Sequence, residues 1–217
     1  MQGVTAEGPP MRLSDKAYQL IRQKIITLEL PPRSAIDEQA LIEELQVGRT
    51  PIREALQRLA AEDLVSIIPR RGMFVAEISL TDLQKVFELR MLLEGFCARL
   101  AAQRATPGQI AMMEAVIEEL ETVGSGDGIA LMVIDERFHE LLYEAADNQF
   151  LADTLRRLHA LSFRIWHLVL DRLGSVRGAM EQHIEITQAI KAQDEARAEA
   201  LLKQHISEFQ QEIKSVL

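Results

Sequence analysis

The sequence predicts a mainly α protein in two parts: three helices closed by a short β-hairpin, then an all-helical bundle of about six helices. Apolar residues recur at three- and four-residue spacing along most of the chain, which is the helical period. One stretch departs from it: a β-branched run over 64–68, a turn at Pro69-Arg70-Arg71-Gly72, and a second short strand at Met73-Phe74-Val75. Charge divides at the same place, with 10 basic and 10 acidic residues over 12–77 and 14 basic and 22 acidic over 78–217. These boundaries define a tail (1–11), a first domain (12–77) and a second (78–217).

The tail holds Gly3, Gly8, Pro9 and Pro10 and no apolar core, so it reads as disordered rather than as a signal peptide. The first helix, over 13–28, is expected to turn Leu13, Ala17, Leu20, Ile21, Ile25 and Leu28 to one face until Pro31-Pro32 stops it. Asp37 can cap a second helix that faces Ala40, Leu41 and Leu45 inward. After the turn Gln46-Val47-Gly48, Thr50 is the expected N-cap of a third helix, with Pro51 at its first position and Ile52, Ala55, Leu56 and Leu59 buried. Three helices and a hairpin make a winged helix-turn-helix pattern, with the third helix as the recognition element. Arg49 and Arg53 lie at its start, where arginine is the usual reader of guanine in the major groove, and Thr50 can donate to a phosphate or a base edge. Arg33, Arg70 and Arg71, with Gly72 at the hairpin tip, suit phosphates or the minor groove. The competing reading is that Arg53 pairs with Glu54 or another nearby acid on a solvated face.

The second part reads as helices over 82–104, 107–122, 129–146, 149–172, 177–193 and 194–214. Thr81 and Thr106, the latter before Pro107, are the expected caps, and Asn148 is expected to be a cap only. Gly124-Ser125-Gly126-Asp127-Gly128 is a loop, and Gly174-Ser175 a break.

Four residues of this half carry chemistry. Asp135 and His139 are one turn apart on a stripe with Met132 and Leu142. His183 shares a face with Ile186 and Ile190, and His205 with Leu202 and Phe209. Each polar group stands where a leucine is expected, and a buried polar group needs a partner. Asp plus three His is a set for one divalent metal ion per subunit: zinc or nickel first, with manganese, cobalt or iron also accepted by imidazole and carboxylate. The bland alternative is four separately bonded core residues. His159 and His167 have no acid or imidazole at ligand spacing and stay outside the set, and Phe163 and Trp166 read as core or interface. Arg90 interrupts a second apolar stripe, Val86, Leu93 and Cys97, with a permanent charge. It reads either as an internal ion pair with Glu94, one turn on, or as a pocket arginine for an anionic ligand.

A single cysteine, Cys97, rules out an internal disulfide framework and fits a reducing compartment, so a cytoplasmic protein without membrane contact is expected. Of the net charge of −9, −8 belongs to the second part and the remaining unit to Glu7, which leaves the first part open to nucleic acid.

The stretch Val47-Gly48-Arg49-Thr50-Pro51-Ile52-Arg53-Glu54-Ala55-Leu56, then Arg58-Leu59, Leu64-Val65 and Arg71-Gly72-Met73-Phe74-Val75, resembles the DNA-binding domain of GntR-family bacterial transcription regulators. Gly48 departs from the small hydroxyl residue usual there, and Asp63 from a helix-ending glycine. The resemblance implies DNA contacts from Arg49, Thr50, Arg53 and the Arg71-Gly72 tip. Glu88-Leu89-Arg90, Leu93-Glu94, Asp135 with Phe138-His139, His183 with Ile190, and Asp194 followed by His205 resemble the helical ligand-binding domain, FCD, of its FadR-type branch. That resemblance implies a metal, a small effector that is often a carboxylate, a homodimer and a two-fold operator in double-stranded DNA. The function expected is therefore a ligand-responsive, metal-containing transcription regulator. The alternative is a metal-dependent enzyme, such as a hydrolase, with an appended winged-helix module. No His-Glu-x-x-His and no glycine-rich phosphate loop supports it, and the available bases, Glu136 and Glu140, lie off the ligand face. In a third reading the metal itself is the signal.

Overall fold

The computed structural model describes residues 11–124, 126–173 and 177–217. Apart from Met11, the expected tail lies outside the described residues, as do Ser125 of the expected loop and the Gly174-Ser175 break. The chain forms two compact units, divided between Ile78 and Ser79.

In the first unit α1 (Leu13–Ile26), α2 (Glu38–Leu45) and α3 (Arg49–Ala61) precede a hairpin of β1 (Val65–Ile68) and β2 (Gly72–Val75). Its core is Ala17, Ile21, Ile25, Ile26, Leu41, Ile52, Ala55, Leu56, Leu59 and Leu64. The strands are antiparallel with Val65 opposite Val75 and Ile68 opposite Gly72. The segment before α2 pairs with the far edge of β2, since the Arg33 and Ile36 amides donate to the Val75 and Met73 carbonyls, both at 2.9 Å.

Asp37 caps α2 as expected, accepting from the amides of Gln39 and Ala40. The start of α3 differs from expectation. Its N-cap is Gly48, not Thr50, and no side chain caps it. Pro51 is then the third residue of the helix, which costs nothing because N–H groups of the first turn have no intrahelical partner anyway. Leu28 adopts φ 60 and ends α1 before the prolines are reached. Leu13, Leu20 and Ala40 are exposed, because the apolar face of each short helix is narrower than its run of apolar residues. Asp63 departs from the family's glycine but takes the left-handed conformation (φ 61) that a glycine would take there. The Leu64 amide donates to Leu59 O (3.0 Å) and the Asp63 amide to Ala60 O (3.3 Å), closing the helix end.

Among the described residues the second unit is a bundle of six α-helices: α4 (Leu80–Arg104), α5 (Pro107–Glu118), α6 (Gly128–Ala145), α7 (Gln149–Val169), α8 (Arg177–Lys191) and α9 (Glu195–Val216). Short 3-10 turns at Glu119–Glu121 and Leu170–Arg172 account for the ends that the apolar pattern extends beyond α5 and α7. Ser79, not Thr81, caps α4, accepting from the Asp82 amide. Thr106 and Gln109 form a reciprocal capping box on α5, and Asn148 caps α7. The long α4 packs on α6, α7, α8 and α9 through one face and leaves the other exposed. Gly95 lies under the Lys203 side chain of α9; a Cβ there would come within 2.6 Å of it.

Candidate functional site

The histidine- and aspartate-bearing faces of α6, α8 and α9 all turn inward. Asp135, His139, His183 and His205 are all buried, the most exposed at 4 %. One ligand atom from each can be chosen so that all four lie within 4.8 Å of one another. Asp135 Oδ1 is 3.6 Å from His139 Nε2, 3.5 Å from His183 Nε2 and 4.0 Å from His205 Nε2. His183 Nε2 and His205 Nε2 face each other at 3.4 Å. A divalent ion about 2.1 Å from each ligand keeps neighbouring ligand atoms roughly 3.0–3.4 Å apart, so a small inward movement converts this cluster to a metal geometry. His139 Nε2 and His183 Nδ1 have no hydrogen-bond partner, although buried, which is costly unless something else satisfies them.

The surroundings set the state of these rings. Glu208 accepts a hydrogen bond from the Gln182 amide nitrogen, which turns the Gln182 oxygen to His205 Nδ1, 3.0 Å away. Nδ1 of His205 therefore carries the proton and Nε2 presents its lone pair to Asp135. Phe138 stacks on His183, with ring centroids 3.9 Å apart and planes 14° apart, fixing its orientation. Burial pushes His183 well below the ordinary imidazole value and His205 to about 4, so both are uncharged at neutral pH. Burial also opposes charge on Asp135, but His139, the hydrogen bond from His159 and then His183 outweigh it and hold the carboxyl well below its usual range. Uncharged imidazoles around a carboxylate are the protonation states a metal ion requires.

Arg90 is 2 % exposed and makes the internal ion pair. Its Nε donates to Glu94 Oε1 at 2.6 Å and its Nη1 to Ser162 Oγ at 2.7 Å. The other Glu94 oxygen is 2.8 Å from His139 Nδ1. His159, left out on spacing grounds, belongs to the cluster: it is buried, and its Nε2 lies 3.4 Å from the second oxygen of Asp135. His159, Glu94 as a neighbour of His139, Ser162 and Gln182 were therefore missed by spacing within one helix. The same signal that marks His183, a histidine on an apolar face, was present at His159 with Leu155, Phe163 and Trp166.

The first unit presents its basic residues outward. Arg49 and Thr50 are exposed in the first turn of α3, with Pro51 half-buried behind them. Arg53, one turn on, is exposed and donates to Glu38, not Glu54, at 2.8 Å. Arg70, Arg71 and Gly72 form the exposed hairpin tip, and Arg33, paired with Glu77, is exposed beside β2. Arg33 and Arg70 adopt φ 66 and φ 65, positions where glycine would be less strained.

Residues 13–75 match the bacterial regulatory proteins of the gntR family, and residues 85–208 match the FCD domain. The HTH-type transcriptional repressor RspR of Escherichia coli (strain K12) is 27% identical over 216 residues, covering 98% of this chain and 93% of RspR. The Nta operon transcriptional regulator of Aminobacter aminovorans is 31% identical over 193 residues, covering 88% of this chain and 90% of that protein. Among solved structures, E. coli McbR/YncC superposes with TM-score 0.85 at 20% identity, covering 95% of this chain and 99% of that one. A GntR transcriptional regulator from Rhodococcus sp. RHA1 superposes with TM-score 0.72 at 23% identity, covering 94% and 98%.

Proposed function

The chain belongs to the gntR family of bacterial regulatory proteins, with a winged helix-turn-helix domain followed by an FCD domain, and from that premise we propose that its buried Asp–His centre holds one divalent ion at which a small carboxylate effector controls operator binding. Proteins of this family regulate transcription in response to ligands; they are not enzymes. The observation that carries the metal reading is the convergence of Asp135, His139, His183 and His205 from three helices on one buried point. Zinc or nickel suits this donor set, and manganese, cobalt or iron is also compatible.

Charge supports an anionic effector. A bound ion requires its imidazole ligands uncharged, and Arg90, Glu94 and Asp135 then contribute one positive and two negative charges. A divalent ion leaves one net positive charge in a buried site, which a monocarboxylate would neutralise at an open position of the ion, beside Arg90. When bound, the ion supplies a Lewis-acidic point for a carboxylate oxygen. Asp135, His139, His183 and His205 orient that point, and α4 and α7 exclude water from it.

Arg49, Thr50 and Arg53 are the proposed base-reading residues in the major groove, with Pro51 in the same first turn. Arg33, Arg70, Arg71 and Gly72 are the proposed backbone contacts. A roughly palindromic operator requires two copies. Leu89, Leu92 and Phe96 form an exposed apolar stripe on α4, at 49%, 60% and 36% exposure. Lys85 and Arg99 at its ends pair within the chain with Asp82 and Glu199. An antiparallel pairing centred on Leu92 would bury the apolar stripe against itself, and we assign it to a second copy of this chain in a homodimer. Fluorescence anisotropy of operator DNA tests the whole reading. Addition of metal and a panel of small organic acids should change wild-type affinity and leave that of His183→Ala unchanged. No response of the wild type to any metal or acid would refute it.

A further inference from the structure

Glu94 sits between two groups that could each claim it. One oxygen accepts from Arg90 Nε at 2.6 Å, and the other lies 2.8 Å from His139 Nδ1. Glu94 is wholly buried, on α4, while His139 is on α6 and belongs to the ligand cluster. The pair lies off the line of a good hydrogen bond, but a carboxylate only accepts, so at this distance it favours a proton on Nδ1 of His139 over a lone pair there. Nε2 is then left with its lone pair directed to Asp135 Oδ1, 3.6 Å away. Arg90 is in turn fixed by Ser162, whose hydroxyl donates to the His159 carbonyl at 2.9 Å. The His159 ring closes the circuit on Asp135. Resting on the metal reading above, we infer that Glu94 is the positioning residue of the metal centre: it selects the His139 tautomer and aims Nε2 at the ion, with Arg90 as the counter-ion that keeps Glu94 ionised in a buried position.

The arrangement gives Arg90 a place in metal binding that an effector contact alone would not. It also links α4 to α6 and α7 through the same polar circuit, so anything that draws Arg90 away from Glu94 changes how firmly His139 is held. An anion arriving beside Arg90 competes with Glu94 for the guanidinium and reports to the metal through His139.

The test is the zinc affinity of full-length Glu94→Gln, measured by competition with a chromophoric chelator, beside the melting temperatures of metal-free and metal-loaded protein. A glutamine oxygen can accept from Arg90 or from His139 but not both, and its amide group then faces a donor. Loss of such a group weakens metal binding about 10–100-fold. The expected result is a loss of this size together with a changed visible spectrum of the cobalt-substituted protein. A purely structural role would lower both melting temperatures equally and leave zinc affinity and the cobalt spectrum unchanged, overturning the inference while the metal reading stands. A wild type that binds no metal overturns both. Should the variant not fold, imidazole nitrogen NMR of the zinc-loaded wild type decides: a protonated Nδ1 and metal-bound Nε2 at His139 support the inference, and the reverse overturns it.

Discussion

His183 Nε2 and His205 Nε2 face each other at 3.4 Å in a fully buried position. With the His205 proton on Nδ1, its Nε2 can accept from His183 Nε2, so the two rings satisfy each other without an ion. Removing one partner of a buried pair leaves the other unsatisfied, at a cost of about 1–3 kcal/mol. Metal-free His183→Leu should accordingly melt below metal-free wild type, and without the rise that saturating zinc gives wild type. That rise corresponds to about 2.7 kcal/mol at a hundredfold excess over Kd. Equal zinc-dependent shifts in the two proteins, by differential scanning calorimetry, would contradict the shared-ion account.

The recognition helix carries its own prediction. Arg53 is exposed and pairs with Glu38 across on α2. Arg53→Ala should cost about 1–3 kcal/mol of operator affinity and relax sequence preference at one base pair. Melting temperature should hardly move, because an exposed ion pair contributes little. Unchanged discrimination between operator and mutated operator in gel shifts would remove Arg53 from the base-reading set.

Arg70 occupies the tip of the hairpin turn at φ 65. The conformation favours glycine, and the charge favours DNA. Arg70→Gly should leave the fold as stable or more so, while weakening binding to all duplexes alike and lowering the salt slope by about one unit. A salt titration of binding, with a slope unchanged from wild type, would count against a phosphate contact.

The turn between α8 and α9 brings His183 and His205 together, and it is closed by a strained residue. Gln193 adopts φ 56, with its amide bonded to Ile190 O and that of Asp194 to Ala189 O, both at 3.0 Å. Its side chain is exposed. Gln193→Gly should stabilise the protein by about 0.5–1 kcal/mol, since glycine accepts this helix-ending conformation without a Cβ penalty. Urea denaturation showing a lower midpoint would contradict this.

The residue pattern made the two-part fold legible because helical and strand periods differ so plainly at residues 64–75. The clustered set was legible because Asp135, His139, His183 and His205 each interrupt an apolar stripe, and a stripe can be read within one helix. His159 was passed over because its acid, Asp135, lies on another helix, and spacing along one helix says nothing of that. Ser162 joins Arg90 across 72 residues for the same reason. The starts of α3 and α4 were misplaced by choosing caps by side-chain type. Gly48 caps with no side chain at all, and Ser79 is the extended residue before α4, whereas Thr81 already lies inside the helix.

Metal content tests the central claim most directly. Wild type and the four single variants Asp135→Ala, His139→Ala, His183→Ala and His205→Ala are loaded with zinc or nickel, dialysed without strong chelator and analysed for bound metal. One ion per chain in wild type, and a marked loss in each variant, is the predicted result. Substoichiometric metal in wild type under every loading condition, or full retention in all four variants, would return these residues to the status of bonded core side chains.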